Sequence, residues 1–164
     1  MVISHKVRIV GGAWKRTPLT VPDVPGLRPT PDRVRETLFN WLGQSLDGLR
    51  CLDAFAGSGS LGLEAASRGA ARVVMIERDR IALAGIRRAI ERLGAQQVEL
   101  LSGDAIAAFD RLVRAGERFD LVIFMGVLYH LRHPLLALDL IREHVADDLM
   151  LYQSLTAGST TEPD

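Results

Sequence analysis

The first chemical signal in the chain is a glycine-rich turn framed by three acids. Gly57-Ser58-Gly59-Ser60-Leu61-Gly62 has G-x-G-x-x-G spacing, which lets a turn bring its backbone N–H groups close to a ligand at a helix N-terminus. Asp53 lies four residues before Gly57, Glu77 lies 18 residues after Gly59, and Asp104 follows in Ser102-Gly103-Asp104-Ala105. A dinucleotide site must accept a doubly charged pyrophosphate, which a carboxylate at 53 would repel. S-adenosylmethionine has no phosphate, and its ammonium and sulfonium are cationic. The three acids therefore favour S-adenosylmethionine over a nicotinamide cofactor. Asp53 suits the cationic end, Glu77 the two ribose hydroxyls and Asp104 the adenine amino group. The candidate cofactor-binding set is Asp53, Phe55, Ala56, Gly57, Ser58, Gly59, Glu77, Arg78, Asp104 and Ala105. Two plainer readings stand beside it. Asp104 serves as a helix N-cap, and Gly57 and Gly59 only allow tight strand–helix packing.

Other residues carry weaker signals. Tyr129-His130 offers a general base near the same site, or simply a polar turn after a strand. His133 and His144 read as surface residues, and no Cys/His cluster has metal spacing. Ser58 lacks the partners of a hydrolase triad. Cys51, the single cysteine, reads as an inert core thiol, consistent with a reducing cytoplasm. Before residue 49 there are seven basic residues against four acidic ones. Lys6, Arg8, Lys15, Arg16, Arg28 and Arg33 are candidates for nucleic-acid phosphate contact, with Trp14 as a base-stacking residue. A solvated basic face is the alternative.

The elements that must position these residues follow from periodicity. Residues 6–10 read as a strand that turns at Gly11-Gly12, and Leu19-Thr20-Val21 as a returning strand. Thr30-Pro31-Asp32 opens a helix with Pro at its first position. Its expected apolar face is Val34, Leu38, Trp41 and Leu42, with Arg33 and Arg35 pointing elsewhere. From residue 50 strands and helices alternate. The expected strands are Arg50–Phe55, Arg72–Ile76, Val98–Leu101, Phe119–Phe124 and Leu149–Gln153. The expected helices are Ser60–Arg68, Arg80–Leu93, Ala105–Ala115 carrying Ile106, Phe109, Leu112 and Val113, and Pro134–Val145. This pattern predicts an α/β, Rossmann-like parallel sheet in the order 3-2-1-4-5, apparently shortened after an apolar fifth strand at its edge. The expected organisation is a basic extension over 1–48, a core over 49–156 and a polar tail over 157–164.

Composition excludes other classes. The 164 residues are 48% hydrophobic and 24% charged, with 20 basic residues balancing 20 acidic ones. That balance argues against a disordered polyelectrolyte. No apolar run has the length a membrane span needs, and the first residues lack the apolar core of a signal peptide. A cytoplasmic protein is expected.

Three segments carry a family resemblance: RIVGGAWKRTPLTVPDVPGLRPTPDRVRETLFNWL, CLDAFAGSGSLGLEAASRGA and VVMIERD. Over about residues 6–122 the chain resembles the bacterial RsmD family, which methylates guanine N2 in small-subunit (16S) ribosomal RNA. The LRPTPDRVRETLFNWL block goes beyond generic methyltransferase features. The resemblance implies a class I methyltransferase fold with a small N-terminal hairpin and helix. It implies S-adenosyl-L-methionine as methyl donor and ribosomal RNA in small-subunit particles as acceptor; the apolar run lengths and the lack of a Cys/His cluster point to no membrane and no metal. It assigns cofactor roles to the matching Asp53, Gly57, Gly59, Glu77 and Asp104.

The resemblance breaks after the fourth strand of the core. The family pattern is FDLVFLDPPF, whereas residues 119–130 read FDLVIFMGVLYH. Met125 replaces the acid, and Gly126 and Val127 replace the two prolines. In such sites an acidic side chain and a proline carbonyl accept the two N–H groups of the amine, holding it for in-line attack. Met125 is not a comparable acceptor. From about Phe119 the chain instead resembles methyltransferases of tRNA wobble-uridine oxygens, and that resemblance implies catalytic roles for Tyr129 and His130. The leading expectation is guanine-N2 methylation of ribosomal RNA. Wobble-uridine methylation, or donor and RNA binding without turnover, are the alternatives. Met125→Asp, Gly126→Pro and Val127→Pro together would separate them.

Overall fold

A computed structural model describes residues 6–152. The expected Gln153 strand end and the polar tail lie outside the described residues. The chain opens with an antiparallel hairpin of β1 (Lys6–Arg8) and β2 (Pro18–Thr20), followed by α1 (Asp32–Leu42). The core runs β3 (Arg50–Asp53), α2 (Ser60–Ser67), β4 (Arg72–Glu77), α3 (Arg80–Leu93), β5 (Val98–Ser102), α4 (Ala105–Arg114), β6 (Phe119–Phe124), α5 (Pro134–His144) and β7 (Ala146–Tyr152). A short 3-10 turn over Leu128–His130 precedes α5. The five core strands are all parallel and ordered β5-β4-β3-β6-β7, the predicted 3-2-1-4-5. The strand order reverses beside β3, so a crevice is expected beyond the carboxyl ends of β3 and β6.

Period-two alternation along the strands builds two cores. Cys51, Val73, Met75, Leu121 and Ile123 face α1, α2 and α3, packing with Leu38, Phe39, Leu61 and Ile86. Leu52, Val74, Ile76, Val122 and Phe124 face α4 and α5, packing with Ala108, Leu112 and Ile141. Covering on both faces is why β4 and β6 read as near-continuous apolar runs. Burial pushes the Cys51 thiol up to about 12, the behaviour of an inert core residue. The hairpin adds a third cluster in which Val7, Ile9, Leu19 and Val21 pack on Leu63 of α2.

Three readings of the sequence need correction. The buried residues of α1 are Arg35, Leu38 and Phe39, while Trp41 is 76% and Val34 41% exposed. Arg35 turns inward because buried polar partners await it, and the rotation carries Trp41 into solvent. On α4, Ile106 and Val113 are exposed and small Ala105 and Ala108 take the core positions with Leu112. The last strand begins at Ala146, three residues before the expected Leu149. Among the described residues β7 borders the sheet, with Leu149 and Tyr152 exposed.

Candidate donor and nucleic-acid site

The glycine turn starts where β3 ends. Gly57 and Gly59 adopt φ of 55° and 79°, the left-handed region that favours glycine. They are needed for different reasons. A Cβ on Gly59 would stand 3.0 Å from both Ile86 and Met75, whereas one on Gly57 would meet only Leu27 at 3.9 Å. Packing therefore accounts for Gly59, while Gly57 serves the backbone path along an open wall. Gly59 is the N-cap of α2 and has no side chain to satisfy the first N–H groups. Asp53 does this from the strand, accepting from Gly62 N at 2.9 Å.

Asp53 is 2% exposed, and desolvation pushes its carboxyl up to about 7. It lines neither cavity at the sheet edge. Asp53 therefore anchors the start of α2, set back from both cavities. Glu77 accepts from Gly57 N at 2.7 Å and from Arg78 N and Asp79 N at 2.9 Å. Asp104 caps α4, accepting from Ile106 N and Ala107 N at 2.9 and 3.3 Å, as the plainer reading expected.

Two cavities open at the carboxyl edge of the sheet, and Phe55 lines both. One, about 460 Å³, is walled by Phe55, Glu77, Arg78, Asp104, Ala105 and His130. The other, about 340 Å³, is walled by Ala56, Gly57 and Ser58 of the turn, by Arg28, Thr30 and Pro31 of the N-terminal segment, and by Met125 and Gly126. The first holds two carboxylates. The second has Arg28 as its one charged wall residue among the described residues. His130 belongs to the first cavity, beside Asp104 and Glu77, and not to the cavity that Met125 borders. Tyr129 lies in the 3-10 turn next to it.

The N-terminal wall is held by a buried ionic cluster that the sequence reading missed. Arg35 is fully buried, and so is Glu64. Arg35 donates to the carbonyls of Thr30 and Arg8 and, at 2.8 Å, to Asp32 Oδ1. Its Nε stands 3.7 Å from Glu64 Oε2. Glu64 accepts from Val10 N at 3.0 Å, Gly11 N at 2.7 Å and Arg68 Nε at 3.0 Å. Arg68 also lies over the Phe39 ring, 4.7 Å from its centroid. Thus one side chain of α1 touches the cavity wall through Thr30, the hairpin through Arg8, and the helix behind the glycine turn through Glu64. The pair Gly11-Gly12 permits this approach: a Cβ on Gly12 would fall 1.9 Å from the Ser67 carbonyl oxygen. The sequence signal was an arginine at i−3, i−4 and i−7 from Leu38, Phe39 and Leu42, a charge placed inside an apolar stripe.

The nucleic-acid candidates divide. Lys6, Arg8, Lys15, Arg16 and Arg33 are exposed. Arg28 is exposed and borders the second cavity. Trp14 is half-buried and packs against two hydrophobic clusters, so one part of it holds the hairpin in place.

Comparison with known proteins agrees with this architecture. The Ribosomal RNA small subunit methyltransferase D of Escherichia coli K12 is 49% identical over 104 residues, covering 63% of this chain and 52% of that protein. The chain thus spans about half the length of this relative. The protein of the same name from Haemophilus influenzae is 38% identical over 141 residues, covering 85% of this chain and 72% of the relative. The solved structure of Escherichia coli yhhF superposes with a TM-score of 0.74 at 34% identity, covering 92% of this chain and 81% of that one. The fold is that of class I methyltransferases, a Rossmann-like sheet with flanking helices. The family described as Conserved hypothetical protein 95 matches residues 7–145, and the chain belongs to it.

Proposed function

We propose that the chain binds S-adenosylmethionine across the two cavities and transfers its methyl group to guanine N2 of small-subunit ribosomal RNA. One observation carries the choice of donor: the Glu77 carboxylate sits on the Gly57 amide. In a dinucleotide site that amide would serve the pyrophosphate, and an acid there opposes an anion by Coulomb repulsion. An acid in the same place suits hydroxyls and cations. The cavity with Glu77 and Asp104 fits the ribose and adenine, with His130 and Phe55 as its walls. The second cavity fits the methionine end, where Arg28 complements the carboxylate and the turn supplies backbone donors. On this reading His130 binds the donor and takes no part in proton transfer.

The bound donor supplies an electrophilic methyl on a sulfonium. The chain's part is positional. The floor between donor and acceptor is Met125-Gly126, which offers backbone carbonyls to the guanine amine and no side-chain acceptor. Gly126 has φ 74°, which proline cannot adopt because its ring fixes φ near −65°. The triple replacement by Asp-Pro-Pro would therefore force this segment to rebuild, and Met125→Asp alone is the cleaner addition of an acceptor.

The test is methyl transfer from labelled S-adenosylmethionine into undermethylated small-subunit particles and into tRNA, with nucleoside analysis. The reading expects label in N2-methylguanosine and a higher rate in Met125→Asp. Label in a wobble uridine would move the assignment to the relatives that the 119–130 segment resembles. No label in either from folded protein that binds S-adenosylhomocysteine would leave a donor-binding protein without turnover.

A further inference from the structure

A groove of about 270 Å³ runs between β2 and α3, walled by Thr20 and Pro22 on one side and by Gly85, Arg88, Ala89 and Arg92 on the other. Its charged walls are both arginine, and among the described residues no carboxylate lines it. The arginines at the amino ends of the core strands, by contrast, are neutralised by acids. Arg50 pairs with Asp120 and Asp147 at 3.0 and 2.8 Å, Arg72 with Glu99 and Glu117 at 2.8 and 2.7 Å, and Arg118 with Asp147 at 2.5 Å. Arg88 is exposed, and among the described residues it enters no ion pair. Arg92 donates one N–H to the Pro18 carbonyl. That bond ties its guanidinium to the hairpin and leaves further donors at the rim.

The groove is continuous with the cationic face of the hairpin. Lys6 pairs in register with Thr20, and Arg8 with Pro18. All four are exposed while Val7 and Leu19 between them are buried, so Lys6 and Arg8 share the face that carries Thr20. Arg88 and Arg92 lie about 12 and 18 Å along α3 from Arg80, at 1.5 Å per residue, and Arg80 opens the helix beside the donor cavity. Unpaired, forked cations set in a channel are a phosphate-contacting arrangement.

We propose that the groove between β2 and α3 binds the sugar-phosphate backbone of the RNA acceptor at a distance from the methylated base, extending the hairpin's contact onto Arg88 and Arg92. This rests on the ribosomal RNA reading above.

Two variants test it without touching the donor site. Arg88→Glu removes a cation that holds nothing else in place. Gly85→Glu keeps every existing contact: a Cβ there stands 3.6 Å from Pro22, ordinary van der Waals contact, and the new carboxylate enters the groove. Binding of a labelled stem-loop fragment of small-subunit ribosomal RNA is followed by anisotropy across a salt series, and S-adenosylhomocysteine binding is titrated in parallel. Each variant is expected to weaken RNA binding about five- to tenfold at low salt. Arg88→Glu is expected to flatten the slope of log K against log salt by about one. Donor affinity stays unchanged. Wild-type RNA affinity and slope in both variants, with binding lost on reversal of Lys15 and Arg16, would overturn the groove and keep the RNA reading. A wild-type protein that binds S-adenosylhomocysteine but not the RNA fragment would overturn both.

Discussion

At the scale of single residues, burial decides what each acid does. Three carboxylates near the ends of successive strands look equivalent in the sequence, yet Asp53 is enclosed whereas Glu77 and Asp104 border a cavity. Asp53 has an ordinary carboxyl value of 3.8 when unfolded and about 7 when folded. The folded state thus holds the proton more tightly. Its contribution to stability is present below about pH 4 and is lost as pH rises to about 7, because the unfolded chain releases that proton first. Asp53→Asn keeps an acceptor for Gly62 N and has no proton to lose. Melting temperatures measured from pH 4.5 to 8.5 should therefore show the variant gaining on the wild type up to about pH 7 and holding a constant lead above it. Parallel curves would show that Asp53 is ionised in the folded protein throughout. Glu77 gives a second prediction. Glu77→Gln retains an oxygen for Gly57 N but loses the charge and one acceptor. Calorimetric affinity for S-adenosylhomocysteine should fall about tenfold, near the value of a charged hydrogen bond, and the melting temperature should fall too, because the amide NH2 cannot accept the N–H groups that one Glu77 oxygen accepts. Unchanged affinity would remove Glu77 from the donor site.

At the scale of elements, the hairpin and α1 are fastened to α2 by backbone proximity and buried charge. Gly12 and Gly116 both have positive φ, 73° and 69°. A Cβ on Gly12 collides with the backbone of Ser67, whereas one on Gly116 meets nothing within 4 Å. Gly116→Ala should cost about 1 kcal/mol from the left-handed conformation alone. Gly12→Ala should cost about 3 kcal/mol or more, because two backbones must separate. Urea unfolding of the two variants reads the difference, and equal costs would mean that the hairpin is not pressed against α2 in solution. The helices and strands of the core were legible because each repeats an apolar period strongly. The face of α1 was not. Arg35 is polar by type, and only Glu64, 29 residues later, together with the carbonyls of Thr30 and Arg8, makes its burial favourable. Ile106 failed for a similar reason: Ala105 and Ala108 face the sheet at a distance that suits small side chains.

At the scale of the whole molecule, zero net charge conceals a separation. Paired arginines border the strands at the end away from the glycine turn, whereas Lys6, Lys15 and Arg16 of the hairpin and Arg88 and Arg92 of α3 enter no ion pair among the described residues. Reversing both Lys15 and Arg16 to Glu should weaken binding of the ribosomal RNA fragment and flatten its salt dependence by about two contacts' worth. S-adenosylhomocysteine binding should not change. A salt series identical to wild type would move RNA contact off the hairpin tip.

The sequence by itself determined the parallel sheet, its order, the glycine turn and the acids around it, because these depend on local spacing and on which strand ends must meet. It also carried the family, through blocks that the comparisons matched. Only the tertiary structure decided that Asp53 anchors a helix, that Trp14 packs against the hairpin core and that His130 lines a cavity with Glu77 and Asp104. It alone showed that Arg28 to Pro31 wall the cavity beside the glycine turn and that Arg88 and Arg92 face a groove with the hairpin. Each of these depends on contacts between segments distant in the chain. Desolvation and charge pairing are set by such contacts, and residue type and local period do not encode them.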